Sequence, residues 1–146
     1  MRLTTFTDYS LRVLMYVATA PEGRATIGEI ARAFGISEHH LVKVAHRLGR
    51  AGALVNTRGR GGGVRLAVSP AMIRLGAVVR ATEGHDVPAE CFEAGANTCV
   101  IARGCALRKV LAEAVDGFYE VLDRYTVADL VKSGSPAIVA LHRSAA

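Results

Sequence analysis

The chain has no tryptophan and only four phenylalanines among 146 residues, so a core of any size must be aliphatic. It also lacks any apolar run approaching the roughly 18 residues needed to cross a bilayer. The stretch from Val13 to Ala20 resembles a secretory core ending in an A-x-A cleavage site. Its uninterrupted apolar part, Val13 to Ala18, is only six residues long and follows Asp8 and Arg12, whereas secretory cores run about 7–15 residues behind a purely basic lead. Leu11, Leu14, Met15 and Ala18 instead stand at helical spacing. We therefore expect no membrane association and a cytoplasmic location, where thiols stay reduced. No internal repeat is visible. No Cys/His/Asp arrangement at readable spacing supports catalysis, so an enzyme is not expected.

Acidic residues are scarce in the first half. Residues 1–80 carry 12 Lys+Arg against four Asp+Glu, a net of +8, while residues 81–146 carry six against nine, a net of −3. A basic half suits phosphate contacts, because neutralising phosphates releases condensed counterions; a merely solvated basic surface is the plain alternative.

Local signals organise that half. Thr5 or Thr7 can cap a first helix that runs to about Ala20 and stops at Pro21. Thr26-Ile27-Gly28-Glu29 has the form of a capping box and predicts a second helix through Ile30 and Ala33. Gly35 suits a tight turn, and Ser37 can cap a third helix, with Gly52 a C-terminal stop. That helix would bury Leu41, Val44, Ala45 and Leu48 and show His39, His40, Lys43, His46 and Arg47 outside. Two short helices around a glycine turn, the second basic outside, match a helix-turn-helix. Leu54–Arg58 and Val64–Ala67 read as strands flanking Gly59-Arg60-Gly61-Gly62-Gly63, a wing whose tip can approach a nucleic-acid backbone or minor groove. The glycine-rich tip lacks the GK[ST] ending of a phosphate-binding P-loop. Ser69-Pro70 predicts another helix to about Thr82, ending at Gly84.

From Gly84 to Cys105 no period is convincing, and so long an irregular run calls for a function. It holds all three cysteines, Cys91, Cys99 and Cys105, spaced C-x7-C-x5-C. Three thiolates are one short of a closed four-coordinate site, and an odd number cannot all pair as disulfides. A further group must complete a site, or one thiol stays free. A zinc-stabilised DNA-binding protein is one reading, although the spacing is unlike a C-x2–4-C knuckle. A long helix from about Ala106 to Tyr125 follows. Its stripe of Leu107, Leu111, Ala114, Phe118, Val121 and Tyr125 has the period of a coiled-coil seam, and we read it as a dimerisation face that would match a palindromic operator. Thr126-x-x-Asp129 can cap a last short helix.

The opening Met1-Arg2-Leu3-Thr4 with Asp8-Tyr9 and Leu11-Arg12 resembles the Rrf-type winged-helix regulators. So do His40-Leu41-Val42-Lys43-Val44, the glycine-rich wing, Thr82-Glu83-Gly84, the three cysteine motifs and Leu122-Asp123-Arg124-Tyr125-Thr126. The resemblance covers nearly all of the chain except about the last ten residues, and it lies nearest the family's nitric-oxide-sensitive branch. It implies a homodimeric transcriptional repressor with one iron–sulfur cluster per subunit, 4Fe–4S favoured over 2Fe–2S. Cys91, Cys99 and Cys105 match the ligand cysteines, and Asp8 matches a carboxylate that reaches the cluster from the opposite subunit in a relative; Glu90, Glu93 and His85 are local alternatives. Double-stranded DNA is the expected partner, met by His39, His40, Lys43, Arg47, Arg58 and Arg60, and nitric oxide the expected signal. A family branch that senses iron–sulfur status carries a histidine three residues after its third cysteine. Here the position is Arg108, which does not deprotonate to become a ligand. A regulator answering to iron–sulfur or redox status stays the alternative.

The expected fold is thus mainly α with a small β-hairpin wing. Residues 1–83 form the winged helix-turn-helix, 84–105 the cluster-binding loop, 106–132 the dimerisation helix with a short C-terminal helix, and 133–146 a flexible tail.

Overall fold

A computed structural model describes residues 3–57, 59, 62–84, 89–92, 97–132, 138 and 140–142. Among these, α1 spans Thr5–Ala18, β1 Arg24–Ala25, α2 Ile27–Phe34, α3 Glu38–Arg50, β2 Leu54–Thr57, β3 Gly63–Leu66, α4 Leu75–Glu83, α5 Ala106–Asp123 and α6 Val127–Val131. The mainly α winged-helix fold expected from the sequence is present.

Polar side chains cap α1, α2 and α6, whereas Ser37 stands at the N-cap of α3 without a side-chain bond. Thr26 and Glu29 form the expected capping box at α2, and Thr126 and Asp129 form another at α6. Gly35 closes α2 in the left-handed conformation. After α3, the amide of Gly52 donates to the Gly49 carbonyl and that of Ala53 to Leu48, a Schellman ending that turns the chain into β2. Leu41, Val44, Ala45 and Leu48 are all buried, so the inner face of α3 was read correctly.

Four readings need correction. The cap of α1 is Thr4, whose hydroxyl accepts from the Thr7 amide, and the helix ends at Ala18, short of Ala20. Its buried side is Thr7, Ser10, Val13, Leu14, Tyr16 and Val17, rotated from the predicted stripe because two hydroxyls find partners inside: Ser10 bonds the Phe6 carbonyl and Thr7 bonds Thr82. The wing belongs to a three-stranded antiparallel sheet ordered β1-β3-β2, in which the two-residue β1 pairs Arg24 with Arg65 and Ala25 with Val64. Gly63 permits that approach, since a Cβ there would lie 2.6 Å from the Ala25 carbonyl oxygen. Finally, the helix expected from Ser69 is broken. A 3-10 turn, Pro70–Met72, ends at extended Ile73 before α4 begins, because Ile73–Leu75 pairs with Tyr125–Val127 instead: Leu75 N–H donates to the Tyr125 carbonyl (3.0 Å) and Val127 N–H to that of Ile73 (2.9 Å).

The core lies between α1, α3, the sheet and α4, with α6 closing it against α1. α5 ends at Asp123, two residues before the predicted Tyr125, and packs on α4. Arg80 grips Asp123 through two bonds of 2.9 and 2.7 Å and lies over the Tyr119 ring. Gly76 leaves room for this clamp, as a Cβ there would overlap the Asp123 carboxylate. Arg80 holds the Asp123 carboxyl below the usual carboxylate range, chiefly through that bidentate bond. Most of the tail expected over 133–146 lies outside the described residues. Of its described part, Ile138 is buried, and the His142 ring lies tilted against that of Tyr16, 4.0 Å between centroids, and bonds Thr19.

The Thr26 backbone N–H, first among several causes, lowers the pKa of Glu29. A carboxyl depressed in the folded state stabilises above its unfolded pKa and loses that contribution as pH falls through the folded value. Wild type should therefore be more stable than Glu29→Gln near neutral pH, and the gap should close as urea midpoints are followed from about pH 7 to about pH 3. A gap that stays constant would show that the ionised carboxylate contributes nothing to the cap.

Candidate functional site

Two features carry chemistry: the outer side of α3 with the wing, and the segment bearing the cysteines. On α3, Glu38 to His40, Val42, Lys43, His46, Arg47 and Arg50 are exposed. The helix divides them. Val42 and His46 face the wing, where they line a groove of about 370 Å³ with Asn56, Thr57, Gly59 and Gly62. His40 leans toward the Tyr9 ring of α1, and its ring lies 6.2 Å from that of His39. Lys43 has no polar partner among the described residues. Arg47 is committed inside the protein, its Nε donating to the Ala81 carbonyl of α4 at 2.8 Å. Arg58 and Arg60 lie outside the described residues, as do His85 and Glu93. Sequence reasoning overlooked Val42, 56% exposed on an otherwise polar face; its break in the outer pattern was the available signal.

All three cysteines are unpaired and half-exposed. Cys91 sits in a 3-10 turn, Glu90–Phe92, and Cys105 occupies the N-cap position of α5. Between them, the Cys99 amide donates to Asn97 Oδ1 (3.0 Å), and its carbonyl accepts from Ala102. Arg108 lies over the Phe92 ring, 5.6 Å from its centroid, so the turn bearing Cys91 rests against the start of the helix that Cys105 caps. Asp8 is elsewhere, in the first turn of α1, where it pairs with Arg12 at 2.8 Å. Glu90 faces Thr98 at 3.4 Å. Among the described residues no three His, Cys, Asp or Glu side chains converge as a metal site.

The donor set nevertheless suits an iron–sulfur group. Three reduced thiols in one segment can ligate as thiolates, and the exposed Asp8–Arg12 pair is a weak contact that a stronger ligand bond could replace. Among the described residues, no fourth ligand completes a site with the thiols.

Within the α5 stripe, Leu107, Ala114, Val121 and Tyr125 are exposed, and Leu111 and Phe118 are half-buried. No residue of α5 is buried. Val110, Val100 and Ile101 extend the exposed apolar surface toward Cys99.

The profile of the Rrf2 family, described as an iron-dependent transcriptional regulator, matches residues 3–133. The HTH-type transcriptional regulator NsrR of Bacillus subtilis (strain 168) is 48% identical over 134 residues, 91% of this chain and 92% of that protein. NsrR of Geobacillus kaustophilus (strain HTA426) is 50% identical over 133 residues, 90% of each. Among solved structures, T. potens IscR superposes with a TM-score of 0.74 at 26% identity, covering 94% of this chain and 90% of that one. A transcriptional regulator from Listeria innocua gives 0.72 at 28% identity, covering 90% and 87%.

The thiol geometry has a direct check. Reduced, metal-free protein should release three equivalents of chromophore from a disulfide reagent without denaturant, because all three thiols are free and reachable. A thiol that reacts only after unfolding would contradict this arrangement.

Proposed function

The chain belongs to the Rrf2 family of transcriptional regulators, and on that premise we propose that it is a homodimeric, iron–sulfur-dependent repressor that releases operator DNA on meeting nitric oxide. The observation that carries this reading is the trio of unpaired thiols next to α5, in a chain about half identical to NsrR regulators. Cys91, Cys99 and Cys105 would hold the cluster, 4Fe–4S rather than 2Fe–2S, with Asp8 of the opposite subunit as the fourth ligand. When bound, such a cluster supplies iron with which nitric oxide reacts.

The chain's own residues do the rest. The two α3 helices would enter successive major grooves, with His39, His40 and Lys43 at bases or phosphates, while Arg47, expected from the sequence at the DNA, has its Nε taken by the Ala81 carbonyl. Arg58 and Arg60 would serve the wing, Arg60 at the minor groove, where narrow A·T-rich DNA attracts arginine. Leu107, Leu111, Ala114, Phe118, Val121 and Tyr125 would form the dimer seam. Support comes from α5 itself, an 18-residue helix with no buried residue, which leaves its apolar side to a second copy. Once Asp8 no longer holds α1 to the partner's cysteine segment, the two recognition helices lose the spacing that spans both half-sites. A few kcal/mol between the two arrangements suffices to switch. Arg108 lies on Phe92 and is no ligand, which favours nitric oxide over iron–sulfur status as the signal; a zinc-stabilised protein would be colourless.

Anaerobic titration of cluster-loaded protein with nitric oxide, followed by fluorescence anisotropy of operator-like DNA, tests the reading. Binding should be lost at a few nitric oxide molecules per cluster; binding that outlasts destruction of the cluster would refute the switch. Asp8→Ala should shed the cluster faster or leave DNA affinity indifferent to its presence. Wild-type behaviour on both counts would remove Asp8 from the mechanism.

A further inference from the structure

The last turn of α4 is bonded to two other helices through three consecutive residues. The Ala81 carbonyl accepts from Arg47 Nε of α3 (2.8 Å). The Thr82 hydroxyl accepts from Thr7 of α1 (2.8 Å) in a buried contact, and itself donates to the Val78 carbonyl. The Glu83 carboxylate accepts from both the backbone N–H and the hydroxyl of Thr4, the α1 cap, at 2.9 and 3.1 Å. Thr4 in turn caps Thr7, and Asp8 follows in the same turn of α1. Directly after Glu83, Gly84 leads the chain away toward the cysteines.

This one turn therefore touches the recognition helix, the start of the helix that carries Asp8, and the root of the cysteine segment. Any displacement at that root must move or break these contacts. The Thr7–Thr82 contact is buried, so breaking it would leave polar atoms unsatisfied at substantial cost. The Arg47 bond is exposed and can exchange with water at small cost, which makes it the one of the three suited to forming in one state and opening in another.

We propose that the last turn of α4 is the joint that couples the cysteine segment to DNA binding, and that Arg47 is its positioning residue: it ties α3 to Ala81 and does not act as a phosphate contact. The inference rests on the cluster-dependent reading above.

Its test compares wild type, Arg47→Ala and Arg47→Lys, each cluster-loaded and cluster-free. Operator-like DNA affinity is measured across a salt series, and amide hydrogen exchange of α3 and α4 is followed without DNA. Wild type should bind more tightly when loaded, by about tenfold for a typical coupling between sites. In both variants that ratio should fall to near one with an unchanged salt slope. The loaded-versus-free difference in exchange along α3 should vanish with it. Arg47→Lys keeps the charge but not the guanidinium fork, so a ratio it preserves counts against the joint. If instead both forms of Arg47→Ala weaken alike and the slope falls by about one, Arg47 is a phosphate contact and the inference is overturned. Unchanged ratio, slope and exchange would overturn it as well. A wild-type ratio near one would defeat the cluster-dependent reading itself, and this inference along with it.

Discussion

The pairing of Ile73–Leu75 with Tyr125–Val127 is the constraint on which the C-terminal half depends. Two backbone hydrogen bonds and the Arg74–Thr126 bridge hold it, with Ile73 and Val127 buried on the core side. Arg74 also reaches the Asp123 carbonyl, and the Arg80–Asp123 clamp follows one turn later along α4. The chain between, including every cysteine, therefore starts out along α4 on the core and returns along α5, which packs on α4, to nearly the same place. Closing such a loop costs only slowly more as it lengthens, so the excursion can be long and irregular without unmaking the domain.

That arrangement explains which parts of the fold could be read from residue order. The capping boxes at Thr26 and Thr126 and the buried face of α3 are local events, set by residues three or four apart, and their signals are strong. β1 is two residues long and exists only because β3, some 40 positions later, offers an edge. No local pattern announces it. The break at Ile73 has the same origin: Ser69-Pro70 does start a helical turn, but pairing with a segment about 50 residues away overrides its continuation. The rotated face of α1 reflects a third limit. Thr7 and Ser10 look like surface residues until their hydroxyl partners are known, and Thr82, 75 positions away, is beyond any local reading.

The candidate site divides in the same way. The cysteine spacing and the basic outer face of α3 stand plainly in the sequence. That the thiols and Asp8 do not meet within one chain is a matter of three-dimensional placement, and so is the commitment of Arg47 to Ala81. The exposed apolar side chains from Val100 to Tyr125 bear on how a second copy would complete the proposed site. Val100 is 98% exposed and Leu107 and Val110 about 60%, so an apolar strip runs from the cysteine segment along α5. Burying such a strip against a second copy removes apolar area from water at roughly 25 cal/mol per Å². It would bring the partner's residues to the thiols in the same act. On the proposed reading, completing the cluster site and covering a helix with nothing buried are then two aspects of one requirement.

On the proposed reading, a signal arriving at the cysteines must still reach α3 without opening the core. Leu41, Val44, Ala45 and Leu48 are packed to 4% exposure or less against the rest of the domain. Interiors at that density transmit displacement more readily than they absorb it. Reshaping α3 within its own domain would cost the packing of all four residues, whereas moving the winged helix as a body relative to its partner costs none of it. What can change cheaply lies at the edges, in exposed polar contacts such as Arg47–Ala81 and Asp8–Arg12, whose loss water largely compensates. On the proposed reading, regulation therefore works on where the recognition helix is placed and leaves its form intact. The residues that would decide it are the polar ones at helix ends, between a rigid reader and a segment anchored at both of its roots.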